Sequence, residues 1–159
     1  MLAVPALIGI AGTLINGWHS DRTSERRLHA AVPMVVAGLM FGLLILSRHA
    51  LLLAIPALLV GSGVLYAFYP VFWSIPTMIL SESAAAATLG LITTISQIGG
   101  FAGPYAIGFL NDRTRSLTAG FGFIALAFTA AGSLVLTVRI DTHRKPVRGN
   151  RRWLIARRR

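Results

Sequence analysis

A chain of 159 residues that is 55% hydrophobic, only 13% charged and +0.70 in mean hydropathy is far from the balance of a soluble domain. Its formal net charge of +10 is concentrated at one end, because nine of the 15 Lys and Arg residues lie between Arg139 and Arg159. Basic charge gathered in a tail beside apolar spans follows the bias of Lys and Arg toward the cytoplasm and gives no case for a nucleic-acid partner. With no cysteine, the chain forms neither disulfides nor thiolate metal sites.

The reading in chain order is all-α: a polytopic membrane helix bundle of about five transmembrane helices. Residues 1–17 are apolar but lack the basic start of a signal peptide. The expected first span, 3–17, carries Pro5, Gly9, Gly12 and Asn16 and is slightly short for a bilayer core of about 30 Å. It reads as a membrane helix entered part-way along, so the chain is expected to begin inside a longer protein. Residues 17–29 then place five ionised side chains between runs that have none: Asp21, Arg22, Glu25, Arg26 and Arg27. Unpaired charge is costly in hydrocarbon, which makes this stretch a loop at a membrane surface.

A second span is expected over 31–47, where the four-residue spacing of Gly38 and Gly42 permits close helix contact. The short Arg48-His49-Ala50 connection requires the next span to run back beside it. That span, 51–79, is too long for an upright helix and contains Pro56, Pro70 and Pro76. Each proline removes a backbone donor, so a kink near Pro70 is expected, with the freed carbonyls facing a cavity. Ser81-Glu82-Ser83 is expected to turn, with either serine capping the next helix. The fourth span, 86–110, holds Thr93, Thr94, Ser96 and Gln97 near its middle. Gly99 and Gly103 form a second small-residue ridge there, beside Gly100, Pro104 and Gly108. After a loop at 111–117 the last span covers 118–138. Thus 1–138 is expected to form a partial bundle and 139–159 a basic, disordered cytoplasmic tail. Its Trp153-Leu154-Ile155 either frays or touches the membrane surface.

Loop charge sets the expected orientation. The 21–27 loop, the Glu82 turn and the tail together carry twelve Lys and Arg residues, against three in Arg48 and the 111–117 loop. The first set is therefore expected in the cytoplasm, in a multi-pass protein of the inner membrane. Without the tail the loops divide evenly, so the tail decides the orientation.

Three stretches carry a family resemblance. Gly17-x-x-x-Asp21-Arg22-x-x-x-Arg26-Arg27 resembles the cytoplasmic loop signature of the major facilitator superfamily, as repeated between the eighth and ninth helices. The fuller pattern through His19, Ser20, Glu25 and His29 is similar to the anion:cation symporter branch, which includes permeases for tartrate, hexuronates and phthalate. Tyr66-Ala67-Phe68-Tyr69-Pro70-Val71-Phe72-Trp73-Ser74-Ile75-Pro76 and Ser96-Gln97-Ile98-Gly99-Gly100-Phe101-Ala102-Gly103-Pro104 resemble the same branch. The resemblance runs to about Val138 and covers the eighth to twelfth of twelve helices. Ser24 departs from it, standing where many members have glycine, and is expected to stiffen the turn. The resemblance implies alternating access, with Gly17, Asp21, Arg22, Arg26 and Arg27 as a conformational latch for the outward-facing state. A purely topogenic loop with solvated charges is the competing account.

Mid-membrane polar and aromatic groups are the candidates for substrate contact. Thr93 and Gln97 share a helix face, while Tyr66, Tyr69 and Trp73 lie near the proline bend. Their hydroxyls and amide suit a carboxylate or a sugar-acid hydroxyl, although such groups also serve as glue between helices. No ionisable group lies near the middle of any span. The charges of an anion symporter, and those that would handle a co-transported proton or cation, are therefore expected in missing N-terminal helices or another polypeptide. His19, His29, His49 and His143 lack zinc-ligand spacing, Gly99-Gly100 has no phosphate-loop context, and no nucleophile–base set stands out. The expectation is a transporter of a small organic anion in a lipid bilayer, inactive as this chain alone, with no enzyme activity, cofactor, metal or nucleic acid. A small non-transporting membrane protein, its basic tail binding a partner or anionic lipid, is the alternative.

Overall fold

Apolar runs that must satisfy their own backbone groups in lipid fold as helices, and every element of the computed structural model is helical. It describes residues 3–47 and 50–138. The expectations for Arg48, His49 and the 139–159 tail lie outside these residues. In order come α1 (Ala3–Thr23), α2 (Arg26–Leu46), α3 (Leu51–Val64), a 3-10 turn (Leu65–Phe68), α4 (Tyr69–Ile79), α5 (Glu82–Thr114) and α6 (Leu117–Thr137). Since α3, the 3-10 turn and α4 form one continuous rod, the described residues make five rods. Four of them, all but α1, are long and apolar enough to cross a membrane.

The break expected near Pro70 is present as the 3-10 stretch immediately before it. The helix ends differ from expectation. Residues 17–23 continue α1, and α2 already begins at Arg26, so the charged loop shrinks to a turn at Ser24 and Glu25. Likewise α5 starts at Glu82 and runs on through Thr114, leaving a turn at Arg115 and Ser116. The cause is the same in both places. Hydropathy marks where a helix leaves the membrane, but polar residues continue it until a residue takes a left-handed conformation. Ser24 (φ 56°) and Arg115 (φ 51°) are those residues. Ser81 occupies the cap position of α5 without a side-chain cap bond, while Ser116 caps α6 by accepting from the Thr118 N–H at 3.2 Å.

Helix α2 is the centre of the packing, burying Ala30, Ala31, Met34, Ala37 and Phe41. It lies along α6, where small residues bring the two backbones together. A Cβ at Gly38 would stand 2.9 Å from the Ala125 carbonyl oxygen, and one at Gly132 would stand 3.0 Å from that of Ala31. Phe41 stacks on Phe121 and Phe128 of α6, with ring centroids 6.4 Å apart in each case. On its other side α2 meets α3, where Gly61 faces Met40, and α3 meets α1, where Gly63 faces Ile8. The close helix contact expected at Gly38 is therefore present. The Gly99 and Gly103 ridge makes none, since no atom among the described residues lies within 4 Å of where a methyl group would stand on either glycine. Among the described residues helix α5 meets only α4 and α6, and most of its length is exposed.

Candidate functional site

The broken third rod creates the first candidate site. In a helix the carbonyl of residue i accepts from the N–H of residue i+4, and proline has none to give. Pro70 therefore deprives the Tyr66 carbonyl of its i+4 donor and the Ala67 carbonyl of its i+3 donor, while Pro33 deprives the His29 carbonyl. Helix α1 supplies the replacements from two residues one turn apart. Thr13 Oγ1 donates to the Tyr66 carbonyl at 3.1 Å. Asn16 Nδ2 donates to the His29 carbonyl at 2.7 Å and to the Ala67 carbonyl at 2.8 Å. One amide thus joins α1, α2 and the 3-10 turn.

Beside this clamp α1 and the broken rod enclose a groove of about 940 Å³. Its walls are mostly apolar, with Ile10 and Leu14 from α1 and Phe128 from α6, and its hydroxyls come from Thr13, Ser62, Tyr66 and Tyr69. The Tyr66 and Tyr69 rings stack at 6.3 Å, and Gly9 gives Tyr66 room, since a Cβ there would approach its ring to 3.0 Å. A wide apolar cleft with a few convergent polar groups has the general form of a small-molecule site. Among the described residues no acidic or basic side chain lines it.

Of the five predicted pocket residues, the structure brings Tyr66 and Tyr69 into this groove. Trp73 packs edge-on against Phe72 at 5.5 Å and is not in the lining. Thr93 and Gln97 are exposed on α5, away from the groove. The hydroxyls of Thr93, Thr94 and Ser96 donate back to their own helix, to the Leu89, Gly90 and Ile92 carbonyls. Thr13, Asn16 and Ser62 are site residues that the sequence reading misses. The signal for the first two is a pair of polar residues three apart on α1, together with prolines four residues after His29 and Tyr66.

The second candidate site is the α1–α2 turn. Arg26 Nη2 pairs with Asp21 Oδ1 at 2.6 Å, and Arg26 Nη1 donates to the fully buried Ser20 hydroxyl at 3.3 Å. The Arg22 guanidinium lies 4.4 Å over the Trp18 ring, and Arg27 donates to the Leu136 carbonyl at the end of α6. Gly17 lies beside Pro70, where an added Cβ would stand 3.7 Å from the proline ring. Asp21 thus sits in the last turn of its own helix and finds its partner at the first residue of α2. An unpredicted contact completes the turn: His19 Nδ1 lies 2.6 Å from His29 Nε2, and His29 Nδ1 lies 2.5 Å from the Glu25 carbonyl oxygen. Among the described residues no group of three His, Cys, Asp or Glu side chains is placed to hold a metal ion.

No family model matches the chain, and no solved structure matches it. Curated relatives do. A protein of Agrobacterium vitis named for tartrate transport is 38% identical over 138 residues, covering 84% of this chain and 30% of the relative. The inner membrane transport protein RhmT of Escherichia coli is 36% identical over 143 residues, covering 87% and 32%. A quinolone resistance transporter of Acinetobacter baumannii is 30% identical over 131 residues, covering 78% and 28%. The chain spans about a third of the length of these relatives and aligns with their C-terminal part. At this identity over most of its length, the chain belongs to the major facilitator permeases, as a homologue of their C-terminal portion.

Proposed function

We propose that the chain is part of a secondary transporter that moves a small organic anion, a carboxylate or sugar acid, by alternating access. The groove at the broken rod carries this reading. Helix breaks at membrane depth are tolerated where they line a cavity and are used there to bind cargo. The tyrosine hydroxyls, with Thr13 and Ser62, can donate to a carboxylate or bond sugar hydroxyls, and the relatives' own names, for tartrate and for metabolite transport, agree with that chemistry. Thr93, Gln97 and Trp73 complete the pocket only if helices outside this chain close over α5. The Asp21–Arg26 pair, with Gly17, Arg22 and Arg27, acts as the latch that holds one state of the cycle.

An apolar groove without a cation does not hold an anion alone, so the neutralising charge and any coupled proton or cation belong to helices beyond this chain. Rocking of two bundles about a central site needs both, and the chain alone transports nothing and catalyses no reaction. It lies in the inner membrane with the α1–α2 turn and the tail in the cytoplasm. Vesicles containing the chain alone should take up no labelled tartrate. Fusing it in frame behind the N-terminal two-thirds of the Agrobacterium vitis relative should restore uptake. Uptake by the chain alone, or a fusion that inserts but moves only a fluoroquinolone, would overturn the reading.

A further inference from the structure

The His19–His29 contact has a proton requirement that a charge latch alone does not explain. The Glu25 carbonyl can only accept, so His29 Nδ1 carries a hydrogen and donates to it at 2.5 Å. In neutral His29 this leaves Nε2 as a lone pair, and His19 Nδ1 donates to it across 2.6 Å. The two rings, 4.9 Å between centroids and tilted by 42°, are thus joined by one N–H···N bond between α1 and α2.

The two available protons differ in effect. One added at His19 Nε2 leaves the bond in place, because His19 Nδ1 still donates. A second, which makes both rings imidazolium, leaves no bare nitrogen at the contact and sets N–H against N–H, so the contact cannot survive it. We infer that the His19–His29 pair is a proton-sensitive clasp on the α1–α2 junction, closed while at least one of the two rings is neutral and opened when both are protonated.

The charged groups around the clasp are Asp21, Glu25, Arg22, Arg26 and Arg27, which leave the turn with one excess positive charge. The α3–α4 rod and α6, which pack against α1 and α2, contribute no acidic, basic or histidine side chain. Nothing among the described residues therefore offers the second imidazolium a carboxylate of its own beyond Asp21, already paired, and Glu25. Since His29 also gives its carbonyl to Asn16, which holds Ala67 beside the groove tyrosines, opening the clasp acts at the point where turn and groove meet. The clasp is a property of the α1–α2 contact, so it holds or fails independently of the transport reading.

The test uses the whole chain in lipid nanodiscs with ¹⁵N-labelled histidine. At neutral pH an Nδ1–H···Nε2 coupling between two imidazoles, both in the Nδ1–H form, is expected, with loss of that coupling on acidification. The absence of native cysteine allows spin labels at Ile15→Cys and Val32→Cys. Their separation should lengthen or broaden as the coupling disappears. In His19→Gln the amide can donate to bare Nε2 or accept from protonated Nε2, so the separation should become independent of pH. No coupling at neutral pH, a separation unmoved by acid, or a His19→Gln chain that responds like the parent would each overturn the inference. If that variant does not fold, the coupling and separation in the parent chain still decide.

Discussion

Asn16 is the residue on which most of the architecture converges. Its two amide hydrogens replace donors that Pro33 and Pro70 cannot provide, and a buried carbonyl left without a partner costs about 1–3 kcal/mol. Asn16→Leu keeps the size but removes both donors. It should lower stability by about 2 kcal/mol, read as a shift in the denaturation midpoint of the detergent-solubilised chain. Ser24 carries a smaller conflict. A non-glycine residue in the left-handed region costs about 1–2 kcal/mol, against roughly 0.5–1 kcal/mol of extra chain entropy that glycine loses on folding. Ser24→Gly should therefore raise stability by about 0.5 kcal/mol, measured the same way. The stiffening expected of Ser24 is thus better described as strain at φ 56°. The Asp21 side chain is 67% exposed, and exposed ion pairs contribute at most about 1 kcal/mol. Asp21→Asn should barely move the denaturation midpoint, so a large loss of uptake in the fusion would assign Asp21 to conformational control.

Among the elements, α2 and α5 show opposite uses of glycine. Gly38 on α2 sits against the α6 backbone, and a leucine there would have to push the helices apart. Gly103 on α5 has open space where a side chain would begin. Gly38→Leu should cost at least about 3 kcal/mol in the isolated chain, in the range of severe overpacking, whereas Gly103→Leu should leave its stability within about 0.5 kcal/mol. Placed in the tartrate-transporter fusion, Gly103→Leu should become harmful if new helices cover α5. The contrast also marks how far sequence can reach. The spacing of Gly38 and Gly42 and of Gly99 and Gly103 is the same, and spacing alone cannot say which face meets a neighbour. Span existence and the break before Pro70 are legible, because apolar length and missing donors are local properties. The helix ends are not, because Asp21, Arg22, Asn111 and Arg113 change hydropathy without stopping a helix. The partners of Asn16 lie 13 and 51 residues away and that of His19 lies 10 away, and only the folded packing brings them together.

For the whole molecule, the broken rod joins the two candidate sites. The α1–α2 turn reaches the groove through Gly17 against Pro70 and through Asn16 on His29 and Ala67. A break held by side chains from a neighbouring helix is weaker than a continuous helix, and such segments are the ones able to move in a transport cycle. Pro70 makes that trade. Pro70→Ala returns an N–H to the rod at the i+4 position of Tyr66, removes the ring that bars a regular helix, and reduces the need for Thr13. The proline penalty in a helix interior is about 3 kcal/mol, but the surrounding residues are packed around the break, so only part of it is recoverable. Pro70→Ala should raise the denaturation midpoint of the chain by about 1 kcal/mol in equivalent stability. In the fusion the same change should lower the maximal uptake rate at least several-fold, because Tyr66 and Tyr69 would turn out of their present register and the rod would resist bending. A stabilised rod with unaltered uptake would mean that the break shapes the groove but takes no part in the cycle.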